Sequence, residues 1–387
     1  MDLLLFNFHD IVLLMTVYQC VLFALLLIVI RRNNYLSDLF LAAFLLSQAA
    51  IPLDILISFG AGFRDLAIEL SPNLFYTFGL AHWLEGPLLL WYVRSLLYKN
   101  YALKRSDLLL LLPVAAYGVY LFFTYFNLDY DDKINLLRGF DVADESFWAH
   151  SLGLSRELLR VAFGIACLWE ISNARKQIRQ SYSNIDKIDF AWLNTLAIAF
   201  LLIRLWAVLV SLAIIFSAHL HIKLDYRIMG LSSNYTVFIV VSALVFLSLS
   251  NASRFEGIEP ETQNTDEKSQ SKTPIDPAMV QELESLMHQE KPYLANILTL
   301  EQLAQQLGWS PRALSNLINR HFERNFFEYI NQYRIEEAKR LLSLAENNHL
   351  TVMDIMIDSG FNSKATFNTL FKKRVGMTPS QFRKSLC

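Results

Sequence analysis

Seven stretches of mainly apolar residues occupy most of the first 250 positions, and they limit the fold of this chain more than any other feature. A helix needs about 20 such residues to cross the hydrocarbon core of a bilayer. Charge divides the chain in the same way, because residues 1–250 carry 37 charged side chains and the shorter segment 251–387 carries 33. The sequence therefore predicts an all-α protein, with a seven-span transmembrane helix bundle in residues 1–250 and a soluble part after it. The predicted spans are 9–30, 36–59, 74–97, 107–126, 153–173, 190–217 and 234–250.

The positive charges between these spans predict an orientation. With the N-terminus outside, the inner connections hold 10 Lys and Arg residues and the outer connections hold 5. Because basic loops stay in the cytoplasm, we expect a multi-pass protein of the cytoplasmic membrane with its C-terminal part inside. The fifth span is the least regular, since Arg156, Glu157 and Arg160 fall in its first two turns. We expect Arg156 and Arg160 near its outer end, reaching the lipid headgroups.

Ionisable residues at membrane depth form the candidate sensory site. Asp54 lies in the second span, and His82 and Glu85 lie three residues apart on one face of the third. Such groups are costly in lipid and should face the bundle interior. Two interpretations stay open: a pocket that opens to the outside and binds an unknown signal ligand or reports pH, or polar contacts that hold the helices together.

An enzymatic function has little support in the sequence. The motifs H-E-x-x-H, G-x-S-x-G and G-x-x-x-x-G-K-[ST] are absent, and the three cysteines are far apart. We therefore predict no catalytic residue, no metal site and no cofactor. A transporter or membrane enzyme with a regulatory helical tail stays open as the alternative function, although no internal repeat typical of transporters is present.

Residues 251–277 are polar, contain three prolines and lack an apolar period, which predicts a flexible linker. A soluble all-α domain is expected over 278–387. Its amphipathic segments predict helices at 278–290, 300–307, 310–321, 326–344, 352–359, 363–375 and 379–386.

Two segments of this domain follow one plan. Thr299 begins a short helix that Gly308 ends, and Ser310 with Pro311 begins a second helix. The plan returns 52 residues later, where Thr351 begins a helix, Gly360 ends it and another helix follows. Two short helices around a glycine turn are typical of the helix-turn-helix, whose second helix enters the DNA major groove.

The C-terminal domain resembles the DNA-binding domain of the AraC/XylS family of bacterial transcription regulators. The residues that carry the resemblance are Leu303-Ala304, Gly308-Trp309-Ser310, Tyr333-Arg334-Ile335, Ala338, Leu341-Leu342, Gly360-Phe361-Asn362-Ser363, Phe367, Phe371-Lys372-Lys373, Gly376, Thr378-Pro379-Ser380 and Phe382-Arg383. One departure is Glu323, which stands where the family usually has glycine before the connecting helix. Together with the predicted spans, the whole chain resembles a membrane-bound branch of the family.

The resemblance implies which side chains contact DNA. The positions aligned with base contacts are Arg312, Ser315, Asn316, Lys364, Ala365, Asn368 and Thr369. Arg and Lys can donate to guanine, Asn can pair with adenine, and Ala can contact a thymine methyl group. For each of them, an ordinary solvated helix surface is the other interpretation. The resemblance also implies double-stranded promoter DNA, RNA polymerase and a second copy of the chain as partners.

The phosphate contacts follow from charge alone. From Gly360 onward the chain has six cations and no acid, whereas the domain from Asp276 is nearly balanced, at 13 positive and 12 negative charges. A local basic surface suits the phosphate backbone. We predict phosphate contacts from Lys372, Lys373, Arg374, Arg383 and Lys384. The expected function is a membrane-embedded one-component transcription regulator, in which a flexible tether favours control through oligomerisation or local concentration over rigid leverage.

Overall fold

The computed structural model describes residues 7–30, 36–98, 101–139, 147–184, 191–220 and 276–386, together with 232, 234–240 and 242–243. The chain divides into two compact units. The first comprises Met1–Ile171 and Phe190–Pro260, and the second comprises Ser172–Asp189 and Glu261–Cys387. The described residues are mostly helical, and an isolated antiparallel β-bridge joins Tyr182 and Thr299.

In the described part of the chain, these helices with both ends defined precede the C-terminal part: α1 Phe8–Ile30, α2 Leu36–Phe59, α3 Ala61–Leu70, α4 Ala81–Leu97, α5 Leu112–Leu121, α6 Tyr130–Arg138, α7 Phe147–Ser181 and α8 Ala191–Leu220. A 3₁₀ segment, Arg105–Leu111, leads into α5, and a π-helical turn, Phe122–Phe126, follows it. Helix α7 is continuous over 35 residues, and the boundary between the two units falls within it.

Among the described residues, four helical stretches are long and apolar enough to cross a membrane, and not the seven that the sequence analysis predicted. They are Phe8–Val29, Leu36–Phe59, Arg105–Phe126 and Trp192–Ser217. The predicted third span is α-helical only over the 17 residues of α4, which include Glu85 and Arg94. The predicted fifth span is part of α7, whose charges interrupt the apolar run. The predicted seventh span lies partly outside the described residues.

The second unit contains α9 Pro277–Gln289, α10 Leu300–Gln306, α11 Pro311–His321, α12 Phe326–Ser343, α13 Val352–Asp358, α14 Lys364–Val375 and α15 Pro379–Leu386. Every boundary falls within about one residue of the predicted helices, since the caps and glycines that define them are local signals. The predicted linker 251–277 lies outside the described residues except for Asp276, which caps α9, and Pro277, its first residue.

Helix α12 connects two hydrophobic cores of the second unit. Its first half contributes Phe326, Tyr329 and Ile330 to a core formed with α9, α10 and α11. Its second half contributes Ile335, Ala338 and Leu342 to a core formed with α13 and α14, which includes Phe361, Phe367 and Phe371. One helix thus supports both repeats of the sequence plan and fixes their relative position.

Candidate nucleic-acid interface and buried ionic cluster

The first helix pair is α10 and α11. Thr299 Oγ1 accepts a hydrogen bond from the Gln302 amide at 3.2 Å, and Gln302 Oε1 accepts one from the Thr299 amide at 3.0 Å. This reciprocal capping satisfies two amides that helix α10 would otherwise leave unpaired. Gly308 turns the chain with a φ of +69°, and Ser310 Oγ accepts from the Ala313 amide at 3.2 Å to begin α11.

The second pair, α13 and α14, is built with the same contacts. Thr351 Oγ1 accepts from the Asp354 amide at 3.1 Å, and Asp354 Oδ2 accepts from the Thr351 amide at 2.8 Å. Gly360 turns the chain with a φ of +86°, and Ser363 Oγ accepts from the Thr366 amide at 3.4 Å. A left-handed φ at the turn favours glycine in both pairs.

The two turns are equivalent atom for atom in their main-chain bonding. The Trp309 amide donates to Ala304 O at 2.9 Å, and the Phe361 amide donates to Met356 O at 3.0 Å. Each bond reaches five residues back across the glycine, as in the common glycine-terminated helix end. The repeated plan seen in the sequence is therefore a repeated structure.

The turn before the connecting helix keeps its left-handed geometry without glycine. Glu323, where the family usually has glycine, adopts a φ of +53°. Asn325 then caps α12, its Oδ1 accepting from the Glu328 amide at 2.9 Å. The substitution of the usual glycine by Glu323 therefore does not change the geometry of the turn.

The predicted base-contacting residues lie on the solvent sides of α11 and α14. Arg312, Asn316, Lys364, Ala365 and Thr369 are exposed, whereas Ser315 and Asn368 are half-buried. On each helix these residues follow spacings of three and four, so they share one face. The opposite face of α14 carries Phe367 and Phe371 into the core. Their contact with bases stays a prediction.

The predicted phosphate-contacting residues differ in their present contacts. Lys372, Lys373, Arg374 and Lys384 are exposed, and Arg374 Nε lies 3.6 Å from Glu336 Oε1. Arg383 is half-buried, and its Nη1 donates to Leu350 O at 2.8 Å. Arg383 therefore ties α15 to the segment before α13, a structural role that the sequence analysis did not foresee.

Two helix-turn-helix pairs on one connecting helix define a DNA-binding domain. The family described as "Helix-turn-helix domain" matches residues 303–385, and this part of the chain is a helix-turn-helix domain of the AraC type. It makes up about a fifth of the chain, so it identifies the C-terminal part only.

The curated relatives are similar over the same region. An uncharacterized HTH-type transcriptional regulator of Staphylococcus aureus (strain COL) is 35% identical over 86 residues, which are 22% of this chain and 11% of that protein. The uncharacterized HTH-type transcriptional regulator YijO of Escherichia coli (strain K12) is 36% identical over 90 residues, 23% of this chain and 31% of that protein. The chain thus spans less than a third of the length of each. No solved structure matches the chain significantly.

A buried ionic cluster occupies the first unit. The Glu85 carboxylate accepts hydrogen bonds from Gln48 Nε2 at 2.7 Å and from Arg160 Nε, and it lies 3.2 Å from Arg204 Nε. Glu157 Oε1 accepts a hydrogen bond from Arg160 Nη1 at 2.7 Å. Glu85, Glu157, Arg160 and Arg204 are at most 6% exposed. Because unpaired charge is costly when buried, the four side chains compensate one another.

This cluster corrects the expectation for Arg160 and gives the contacts of the predicted sensory residues, whose sensing role stays a prediction. Arg160 does not extend to a headgroup region, because its guanidinium is held by Glu85 and Glu157. The predicted sensory residues divide: His82 Nε2 lies 3.8 Å from Asp54 Oδ2, whereas Glu85 bonds to Gln48 and the arginines. Sequence separation gave no signal for this, since α2, α4, α7 and α8 each supply part of the cluster.

Close packing of α4 against α7 brings these charges together. A Cβ atom at Gly86 would lie 2.4 Å from Phe163 Cδ2, so no larger residue fits there without movement. Gly86 follows Glu85 directly, and Phe163 lies one turn after Arg160. Among the described residues, no group of His, Cys, Asp and Glu is arranged to hold a metal ion.

Proposed function

We propose that this chain is a membrane-embedded one-component transcription regulator, which binds promoter DNA through its C-terminal unit in response to a signal sensed by its first unit. The observation that carries the proposal is the presence in one chain of an AraC-type helix-turn-helix domain and four helices apolar enough to span a membrane. The partners are double-stranded DNA, the lipid bilayer, RNA polymerase and a second copy of the chain.

The proposed location is the bacterial cytoplasmic membrane, with the DNA-binding unit inside. The end of α7 supports this orientation. It carries Arg175, Lys176 and Arg179, and it belongs to the same unit as the helix-turn-helix pairs. Basic residues next to a span favour the cytoplasmic side.

The proposed sensing element is the group around Asp54, His82 and Glu85, extended by Glu157, Arg160 and Arg204. Buried ion pairs between helices have few alternative arrangements, so a ligand or proton that changes one charge would favour a different packing of the helices.

DNA binding is tested with the full chain in lipid nanodiscs and a pool of randomised duplex DNA. We expect binding that weakens steeply with salt, because Lys and Arg side chains release counterions from the DNA phosphates and added salt opposes that release. Arg312→Ala should relax preference at particular base pairs, at about 1–3 kcal/mol each. Lys372→Ala should weaken all sequences about equally and reduce the salt slope by about 1.

The control is Arg138→Ala, because Arg138 is an exposed cation at the end of α6 and belongs to the first unit, outside the DNA-binding unit. This variant should retain wild-type affinity and preference. A wild-type protein that binds duplex DNA without salt dependence, or not at all, would refute the proposed function.

A further inference from the structure

A short segment from the middle of the chain is part of the DNA-binding unit. Residues 172–189 belong to the second unit, although about 90 residues separate them from α9. Helix α7 ends at Ser181, and Tyr182 then forms an antiparallel bridge with Thr299, the residue that caps α10. The end of α7 therefore leads directly into the helix-turn-helix domain.

Ser183 forms the centre of this attachment, and each of its polar groups has a partner in the domain. Its amide donates to Leu298 O at 3.1 Å, and its Oγ donates to the same oxygen at 2.7 Å. Its carbonyl oxygen accepts from Asn331 Nδ2 at 3.0 Å and from Arg334 Nη1 at 3.3 Å. Ser183 is 1% exposed.

Arg334 connects this attachment to the segment that precedes the first helix pair and to the core of the second pair. Its guanidinium is 1% exposed and donates to Ser183 Oγ at 3.1 Å, to Tyr293 O at 2.7 Å and to Ala295 O at 2.8 Å. It also lies 5.9 Å from the centre of the Phe361 ring, in the second core. Burial lowers the pKa of Arg334 to about 10, so the side chain stays charged at neutral pH.

A buried guanidinium needs an acceptor for each of its N–H groups. Ser183 supplies two of the acceptors around Arg334, through its carbonyl oxygen and its hydroxyl. Without this residue, Arg334 would keep a buried charge with donors unpaired. The segment therefore completes the polar interior of the DNA-binding unit.

We infer that Tyr182, Ser183 and Asn184 form a latch, through which helix α7 holds the DNA-binding unit in its DNA-competent form. The latch contacts Asn296 and Thr299, which precede α10, and Asn331 on α12, and none of these three residues is predicted to contact DNA. A seated latch fixes α12, on which both helix pairs are packed, and leaves the recognition faces open. Because α7 is one continuous helix, its displacement has a covalent route to the latch.

This inference rests on the proposed function and differs from the control expected of a flexible tether. The predicted linker 251–277 is one connection between the units, and the end of α7 is another. A signal that moves α7 would unseat the latch, loosen α12 and weaken DNA binding without covering the recognition helices.

The latch is tested in the full chain in nanodiscs by hydrogen exchange and by binding to a random duplex DNA pool. Ser183→Ala removes both hydroxyl hydrogen bonds. We expect at least tenfold faster exchange in peptides covering 296–306 and 327–335, and several-fold weaker binding to all DNA sequences. The control is Ser343→Ala, which removes a hydroxyl that bonds only to Lys339 O on the exposed end of α12.

A disulfide gives a second measurement that does not depend on the stability of Ser183→Ala. Residues facing each other across an antiparallel bridge have Cα atoms within the range that a disulfide spans. In a Cys387→Ser background, Tyr182→Cys with Thr299→Cys should cross-link on mild oxidation, and the oxidised protein should keep wild-type DNA affinity. Failure to cross-link, or a Ser183→Ala protein with wild-type exchange and affinity, would overturn the latch.

The two proposals fail in different ways. If neither wild type nor variants bind duplex DNA, the proposed function fails, while exchange and cross-linking still test the latch. If wild type binds DNA and the latch variants change neither measurement, the latch alone fails.

Discussion

Gly360 is the position at which one added carbon should most disturb the DNA-binding unit. It has a φ of +86°, a conformation that L side chains rarely adopt. A Cβ atom there would lie 2.6 Å from Tyr293 O, 3.0 Å from Leu294 Cα and 3.1 Å from Arg334 Nε. Two of these neighbours are backbone atoms, and Tyr293 O is also the acceptor for Arg334 Nε. Gly360→Ala therefore strains its own backbone and presses on the interior that holds the latch.

Gly308 provides the matched control, because it is the equivalent turn residue of the first helix pair. Its φ is +69°, and a Cβ atom there would meet no heavy atom within 4 Å. Both alanine variants bear a backbone cost of about 1–2 kcal/mol. Only Gly360→Ala adds overpacking, which costs about 1–3 kcal/mol in a close-packed interior. We expect destabilisation of about 2–5 kcal/mol for Gly360→Ala, against about 1–2 kcal/mol for Gly308→Ala.

Hydrogen exchange of the full chain measures this difference, because it reports opening of the second unit without requiring the whole chain to unfold in one step. The slowest amides of α12 should lose more protection in Gly360→Ala than in Gly308→Ala, by at least about fivefold for a further 1 kcal/mol. An equal loss of protection in the two variants would show that the atoms around Gly360 can accommodate a Cβ atom without overpacking.

Two further predictions concern buried or partly buried acids. Glu85→Gln removes one of two carboxylates facing Arg160 and Arg204, and breaking a buried ionic pair costs about 3–5 kcal/mol. The unfolding temperature of this variant should therefore lie well below that of Glu69→Gln, which changes an exposed acid. Equal unfolding temperatures would contradict the buried cluster. In the second unit, hydrogen bonds from Arg340 and Lys291 hold the pKa of Glu337 below its usual 4.5. The ionised Glu337 carboxylate therefore stabilises the folded unit fully above pH 4.5, and this stabilisation is lost as the pH falls through the lower pKa that Glu337 has in the folded state. Amides of α12 should exchange faster in acid, after correction for intrinsic rates, and Glu337→Gln should reduce this pH dependence. An unchanged pH dependence in the variant would show that Glu337 does not cause it.

The helices of the DNA-binding unit could be predicted closely because their ends are encoded locally. Thr299, Ser310, Thr351 and Ser363 are followed by the residues that complete their caps, and the glycines end the first helix of each pair. Glu323 shows the limit of such reasoning, since the turn keeps its left-handed geometry without the residue that normally marks it.

The first unit was less predictable because its charges act across helices. Apolar length and the charges of the loops predicted spans that include α4 and part of α7, yet both helices carry side chains that pair in the interior. Which arginine meets Glu85 depends on which helices are neighbours, and one sequence does not contain that information. Ser183 gave no signal either, since its importance comes from partners more than a hundred residues away.

The discontinuous composition of the DNA-binding unit has a consequence for how the protein is made. Ser183 and Asn331 are 148 residues apart, so the ribosome delivers the latch long before it delivers the surface that receives it. Contacts this distant in sequence form late, because the intervening chain must first be closed into a loop. We therefore expect the DNA-binding unit to mature only after the apolar half has been synthesised. A chimera of two such proteins joined within 251–277 would therefore combine the DNA-binding helices of one protein with the latch of the other.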